Sequence, residues 1–117
     1  MNQQEMKERT KEFAKRIIKL CRNLPETREA RLIGNQIFRS GTSVAANYRA
    51  ACRTRSLAEF ISKMGIVEEE ADETLFWLEL LCEMEIFSKD QLLSVMQENN
   101  ELIAIVVASI KTCKSNK

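Results

Sequence analysis

The sequence predicts an all-α protein, a single antiparallel up-down-up-down four-helix bundle that takes in all of residues 1–117. Only three glycines and one proline occur in the chain, too few to punctuate the many strands of a β-sandwich or barrel. Four segments repeat apolar residues at alternating steps near three and four, which is the period of an amphipathic helix. Short connections separate these segments, so we expect neighbouring helices to run antiparallel.

The first helix is predicted over residues 4–22 and the second over residues 26–53. Pro25 follows the last apolar positions of the first helix, and proline suits the start of a helix because it lacks an amide proton. Residues 40–43, Ser-Gly-Thr-Ser, are poor helix formers inside the second segment. A kink or break there is therefore the alternative to one continuous helix.

The third helix is predicted over residues 57–85 and the fourth over residues 89–112. Each begins with a capping box, Ser56 with Glu59 and Ser88 with Gln91, in which two side chains satisfy free backbone amides reciprocally. The expected inner stripe of the third helix is Phe60, Met64, Val67, Ala71, Leu75, Leu78 and Cys82. The expected inner stripe of the fourth helix is Leu92, Met96, Ile103, Val106 and Ile110.

The glycines lie inside predicted helices, where each costs about 1 kcal/mol relative to alanine. Gly34 and Gly41 are one heptad apart, and small residues follow them. We interpret this spacing as a close approach of the second helix to a neighbour, the alternative being a simple kink.

The last two helices carry more apolar surface than the core of one bundle requires. A helix that is apolar nearly all round must be covered on more than one side, and a second subunit is the available cover. We therefore expect a homo-oligomer, the alternative being a wide stripe in a thick core. The candidate interface residues are Phe76, Trp77, Leu80, Leu81, Met84, Leu102 and Ile105.

Charge is divided between the two halves of the chain. Residues 1–55 contain 13 Lys or Arg and 5 acids, whereas residues 56–117 contain 5 Lys and 12 acids. The basic half predicts contacts with RNA or DNA phosphates, which position a nucleic acid without reading its bases. In the alternative, basic and acidic helices complement one another within or between subunits. The candidate nucleic-acid contacts are Arg28, Arg31, Arg39, Arg49, Arg53 and Arg55.

The composition argues against an enzyme. No histidine is present, which excludes hydrolases built on a catalytic histidine and di-iron bundles built on Glu-x-x-His. Carboxylates such as Glu69 and Glu73 share a helix face, but no ligand of another type accompanies them, so we expect no metal and no cofactor. The polar N-terminal segment and the lack of a long apolar run predict a cytoplasmic protein without a membrane span. Four cysteines near predicted helix ends are expected to be reduced thiols: Cys21, Cys52, Cys82 and Cys113.

Three segments carry a resemblance to a known family. They are RSGTSVAANYR at residues 39–49, AEFISKMGIV at residues 58–67 and EADETLFWLELL at residues 70–81. In these segments, and in its length and helix layout, the chain resembles the bacterial four helix bundle proteins, also known as the large-subunit ribosomal RNA intervening-sequence proteins.

The resemblance implies an up-down bundle that assembles into a barrel-shaped homopentamer and has no enzymatic activity. A related branch serves retroelements as an accessory protein that binds a reverse transcriptase and nucleic acid, so a protein partner is an alternative to RNA or DNA. Ala50 stands where the family commonly has Glu. The family positions that match here are Arg39, Ser43, Asn47, Glu59 and Glu73, and we expect Arg39, Ser43, Asn47 and Glu73 to form a polar network between helices.

Overall fold

The computed structural model describes residues 1–116. Four α-helices follow one another along the chain: α1 (Gln3–Arg22), α2 (Arg28–Ala51), α3 (Leu57–Glu83) and α4 (Lys89–Ser115). Each helix packs on the next, and α4 returns to α1, so the helices stand at the corners of an elongated bundle measuring 48 × 21 × 20 Å. The predicted up-down-up-down four-helix fold is confirmed.

Every helix begins at a side chain that accepts a hydrogen bond from the third amide of the helix. These N-cap residues are Asn2, Thr27, Ser56 and Ser88. The cap at Thr27 explains why α2 begins at Arg28, two residues later than predicted. Ser88 and Gln91 form both bonds of the predicted capping box, whereas the Glu59 carboxylate accepts from the Arg55 amide instead of the Ser56 amide.

The C-terminus of α3 comes two residues before the predicted end because the chain closes it with a left-handed residue. Glu85 has φ 58°, and its amide donates to the carbonyl of Cys82 at 3.0 Å. The Ile86 amide donates to the carbonyl of Leu81 at 3.0 Å. These two bonds form a Schellman motif, whose left-handed position favours glycine.

The buried stripes of α3 and α4 share Met64, Val67, Ala71, Leu78, Leu92 and Val106 with the predicted ones. At four other places the buried residue is the one before the predicted residue: Thr74, Leu81, Val95 and Leu102. In α3 the buried residues are Met64, Val67, Ala71, Thr74, Leu78 and Leu81, and in α4 they are Leu92, Val95, Asn99, Leu102 and Val106. Both stripes alternate steps of three and four, the period of 3.5 residues that keeps one seam facing a neighbouring helix. The prediction places Leu75 and Met96 on the stripes instead, because core positions are usually apolar and the polar residues Thr74 and Asn99 occupy two of them.

The buried polar side chains find partners across the core, with one exception. Thr74 Oγ1 lies 2.8 Å from Ser40 Oγ, which joins α3 to α2, and Asn99 Nδ2 donates to the Ala71 carbonyl at 2.9 Å, which joins α4 to α3. Among residues 1–116, Asn99 Oδ1 is the buried side-chain oxygen without a hydrogen-bond partner.

The seam between α1 and α4 is closed by polar side chains. Arg9 donates from Nε and Nη2 to the two carboxylate oxygens of Glu98 at 2.8 and 2.7 Å, and from Nη2 to Glu101 at 3.1 Å. Arg16 donates to Ser94 Oγ at 2.8 Å. The hydrogen bonds that Arg9 donates to Glu98 raise the pKa of Arg9. These two cations of α1 are therefore used within the bundle.

Candidate nucleic-acid interface

A groove of about 550 Å³ runs between α1 and α2 and is bordered by cations from both helices. Lys7 and Lys11 border it on α1, and Arg49 and Arg53 border it at the end of α2. The lining residues are Gln4, Lys7, Glu8, Lys11, Thr42, Ala45, Ala46, Arg49 and Arg53. The groove therefore has a floor of small side chains and basic edges, a shape and charge that suit an anionic chain.

The small residues of α2 let the two helices approach closely. A Cβ atom placed on Gly41 would lie 2.8 Å from Cγ1 and Cγ2 of Ile17, and one placed on Gly34 would lie 2.6 Å from Cδ1 of Leu24. Real Cβ atoms essentially never come this close to another atom, so Gly41 is required for the present packing against the stiff side chain of Ile17. At Gly34 the close atom is the end of the flexible side chain of Leu24, in the loop after α1, which can shift. The predicted close approach is confirmed, and α2 is one continuous helix through residues 40–43.

The cations of the groove are not neutralised within the subunit. Among residues 1–116, none of Lys7, Lys11, Arg49 and Arg53 forms an ion pair. Glu8 is the one acid of the groove, and its carboxylate accepts from Gln4 Nε2 at 3.1 Å. Four cations against one carboxylate leave a positive potential that favours phosphate.

The six arginines predicted as nucleic-acid contacts are all exposed, but they differ in position and in the side chains around them. Arg49 and Arg53 border the groove, while Arg31 lies at the other end of α2, beside the loop that connects α1 to α2. Arg28 opens α2, and Arg55 precedes the N-cap of α3. Arg39 alone is held by acidic side chains.

Arg39 belongs to a network between α2 and α3. Its Nη1 donates to Glu70 Oε2 at 3.1 Å, and its Nη2 donates to Glu73, which also accepts from Trp77 Nε1 at 3.1 Å. The indole hydrogen bond, and after it the arginine, hold the pKa of Glu73 below its usual range, and the Glu73 carboxylate in turn raises the pKa of Arg39. Arg39 is thus better described as an inter-helix contact than as a phosphate contact.

The other two residues predicted for this network do not join it. Asn47 Nδ2 donates to the carbonyl of Ser43 at 2.9 Å, a bond within α2. The expected polar network therefore divides into an inter-helix part, Arg39 with Glu73, and an intra-helix pair.

Two of the predicted interface residues are core residues. Leu81 and Leu102 are 0% exposed in the single subunit, so no partner can contact them in this conformation. They lie on buried stripes that are hard to recognise in the sequence, because the polar residues Thr74 and Asn99 interrupt the apolar repeat. Their assignment to an oligomer interface is wrong, and they belong to the bundle core.

The remaining predicted interface residues reach the surface. Phe76 is 51% exposed and Met84 is 57% exposed, and the Phe76 ring meets the Trp77 ring edge to face at 4.9 Å. Trp77 and Leu80 are half-buried beside them. We call these four residues, three in α3 and Met84 at its C-cap, the apolar patch. Ile105 is half-buried too, but it lines a separate apolar pocket at the end of the bundle that includes Tyr48 and Phe60.

Residue-level reasoning missed two lysines of the groove and one leucine near the apolar patch. Lys7 and Lys11 are four residues apart on the outer side of α1, a spacing that the sequence displays but that only the packing of α2 makes significant. Leu32 on α2 is 54% exposed. The contacts of Arg39 with Glu73 and of Ser40 with Thr74 fix an antiparallel register that sets Leu32 level with the end of the patch.

The described residues hold neither a metal-binding cluster nor a membrane-spanning helix. Across residues 1–116, no group of three or more Cys, Asp or Glu side chains is arranged to hold a metal ion. The four cysteines are free, half-buried thiols, and burial raises the pKa of Cys21. Within the same residues, no helix has an apolar stretch long enough to cross a bilayer.

Comparison with known proteins gives a family and a structural relative. The family described as 23S rRNA-intervening sequence protein matches residues 2–108. A crystal structure of a protein with unknown function from the S23 ribosomal protein family of Bacteroides thetaiotaomicron superposes with a TM-score of 0.88. That protein is 37% identical to this chain, and the match covers 95% of this chain and 99% of that one. No curated protein sequence matches the chain.

Proposed function

This chain belongs to the 23S rRNA-intervening sequence protein family, and on that premise we propose that it is a non-enzymatic homo-oligomeric bundle that binds nucleic-acid phosphates through α1 and α2. Resemblance to the family makes a pentamer the expected assembly. The observation that carries the binding proposal is the groove in which Lys7, Lys11, Arg49 and Arg53 converge, none of them in an ion pair among residues 1–116.

Binding through phosphates has a measurable salt dependence. If the four groove cations each neutralise one phosphate of a duplex, the logarithm of the association constant falls with the logarithm of salt at a slope of about −3.6. Affinity then drops about 150-fold between 50 and 200 mM salt. Contacts to bases or apolar surfaces would give a much shallower dependence.

The test is a fluorescence-anisotropy titration with a labelled RNA that contains both a stem and single-stranded tails. We expect Arg49→Gln/Arg53→Gln to weaken binding and to bring the slope to about −1.8, because two phosphate contacts are lost. The control, Lys89→Gln/Lys111→Gln, removes two exposed charges from α4 and should leave both quantities unchanged. No binding at low salt, or equal losses in the two variants, would refute the proposal.

The oligomer is proposed to form through the apolar patch. Phe76, with half of its surface exposed, is an unusual side chain to leave in water, and burying an aromatic of this kind favours association. We expect Phe76→Glu to dissociate the assembly in light scattering. Leu93→Glu is the matched control, since Leu93 is 46% exposed but lies on α4. A wild-type monomer at micromolar concentration, or the same mass for both variants, would contradict this assignment.

The second candidate function is a scaffold that binds a protein and no nucleic acid. It is favoured by the pairing of Arg39 with Glu70 and Glu73, which shows charges of α2 and α3 satisfying each other. In this case Arg49→Glu/Arg53→Glu should dissociate the oligomer, whereas the nucleic-acid proposal expects it to remain assembled and to lose RNA.

A further inference from the structure

The arginines on the outer side of α2 form two separate clusters. Arg28 and Arg31 lie at one end, and Arg49 and Arg53 lie at the other, so that 18 to 25 residues separate them. At about 1.5 Å per residue these separations are about 27–38 Å. Because α2 is continuous between Arg28 and Ala51, the distance between the clusters is fixed by the helix.

The two clusters point to the same side of the molecule. At about 100° per residue, Arg28, Arg31, Arg49 and Arg53 fall within a sector of about 60° on the helix. The buried residues Ile37 and Tyr48 lie on the opposite side. Between the clusters, the outward positions Asn35, Phe38, Thr42 and Ala46 are uncharged, and Arg39, at the margin of this sector, is paired with Glu70 and Glu73.

The neighbouring helix adds two lysines to one end of this edge. Lys7 and Lys11 lie four residues apart on α1, about 6 Å along the axis, and share the groove with Arg49 and Arg53. The next two lysines of α1 turn away from the edge: Lys15 pairs with Glu12, and Lys19 lines a pocket between α1 and α4.

We propose that this edge binds double-helical nucleic acid lying along the bundle, with the two arginine clusters on backbone phosphates one helical turn apart. The inference rests on the proposed function and specifies its ligand. A double helix presents its backbone to the same side once per turn, about every 34–36 Å, which falls within the separation of the clusters. Because the distance between the clusters is fixed by the helix, a ligand that contacts both must be rigid and have its phosphates at a fixed repeat.

The same edge lacks the features that bind single strands. Single-stranded nucleic acids are held chiefly by stacking of bases on aromatic side chains. Among residues 1–116, Phe38 is the one exposed aromatic on this edge, and Tyr48 on the same helix is 4% exposed and lies in the core. Straight helices with fixed charges therefore favour a ligand whose phosphates are already ordered.

The experiment measures how affinity depends on the length of the duplex, using the full assembled protein. The probes are RNA stems of 6 and 18 base pairs closed by the same four-nucleotide loop, the corresponding DNA stems, and an unstructured RNA strand. A DNA stem of 6 base pairs is about 20 Å long at 3.4 Å per pair, and an A-form RNA stem of the same number of pairs is shorter, so neither reaches both clusters. Bridging both clusters should strengthen binding of the 18-pair stem at least about tenfold over the 6-pair stem.

A variant separates bridging from the greater number of binding positions on a longer stem. Arg28→Gln/Arg31→Gln should remove most of the length effect and leave affinity for the 6-pair stem near wild type, since the groove cluster is intact. Lys89→Gln/Lys111→Gln should retain the full effect. The RNA and DNA arms then show which duplex geometry fits better.

Two results would overturn the inference while leaving the proposed function in place: binding of the unstructured strand as tight as that of the long stem, or a length effect that survives in Arg28→Gln/Arg31→Gln. A protein that binds none of the probes at low salt would instead overturn the proposed function itself. Circular dichroism of each variant shows whether the bundle is folded, which is expected because the substituted side chains are exposed.

Discussion

Replacing Gly41 by alanine tests the close approach of α1 and α2, on which the groove depends. The added Cβ would lie 2.8 Å from Cγ1 and Cγ2 of Ile17 and 3.1 Å from its Cβ. Ile17 is fully buried and β-branched, so it has little freedom to rotate away. The two helices must therefore move apart or the side chain must adopt a strained rotamer.

The expected cost follows from two opposing effects. Overpacking of a core costs about 1–3 kcal/mol, whereas alanine is favoured over glycine inside a helix by about 1 kcal/mol. We expect Gly41→Ala to lower the free energy of unfolding by about 1 kcal/mol. Gly65 supplies a matched control because a Cβ there would meet no atom within 4 Å. Gly65→Ala should therefore raise stability by up to about 1 kcal/mol.

The assay is urea unfolding followed by circular dichroism at one protein concentration, since oligomerisation makes stability depend on concentration. In the double variant Ile17→Ala/Gly41→Ala, room returns at the contact and the two losses should be less than additive. Equal stabilisation by Gly41→Ala and Gly65→Ala would refute the argument, because it would show that α1 and α2 have space between them at Gly41.

Two further predictions concern the α3 region. Glu85 has a left-handed backbone, φ 58°, which costs a non-glycine residue about 1–2 kcal/mol. Glu85→Gly should therefore raise the free energy of unfolding by about 0.5–1 kcal/mol. A lower free energy of unfolding in urea would argue against the Schellman assignment. The pKa of Glu73 is lowered in the folded state, so its contribution to stability is present at neutral pH and is lost as the pH falls through that lowered value. The fluorescence of Trp77, which donates a hydrogen bond to Glu73, should change in the same acid range. The Glu73→Gln variant should not show this change.

The sequence predicts the helices well because each helix carries its own local signals. The caps Ser56 and Ser88, the sparse glycines and the apolar repeats are all readable without tertiary information. The exact buried face was less predictable. Thr74 and Asn99 interrupt the apolar stripes with polar residues, and their suitability for the core depends on partners in other helices, the hydroxyl of Ser40 and the carbonyl of Ala71.

The same limit applies to the candidate site. Arg39 and Arg49 are both exposed arginines of α2, and nothing in the local sequence distinguishes them. Their roles differ because of what lies opposite: Glu70 and Glu73 of α3 face Arg39, whereas the lysines of α1 share a groove with Arg49. The distinction is tertiary, and so is the contribution of Lys7 and Lys11.

The arrangement of the helices explains why the charges of the chain do not cancel inside one subunit. α3 contains 8 acids and 1 lysine, and α2 lies against it. α1 is its diagonal neighbour, and within residues 1–116 no Cα atoms of these two helices lie within 8 Å of each other. The lysines of α1 therefore cannot reach the acids of α3 in the same subunit. Lys15 pairs with Glu12 of its own helix, whereas the charge of Lys7 and Lys11 is left to solvent ions or to another molecule, and release of condensed ions from a polyphosphate chain is a strong driving force for the second. An adjacent subunit presenting its α3 would compete for the same edge, so nucleic-acid binding requires an assembly that leaves the α1–α2 edge outside its interfaces. The apolar patch lies on α3, on the side of α2 away from α1, so an interface built on it leaves the α1–α2 edge uncovered on the subunit that contributes the patch.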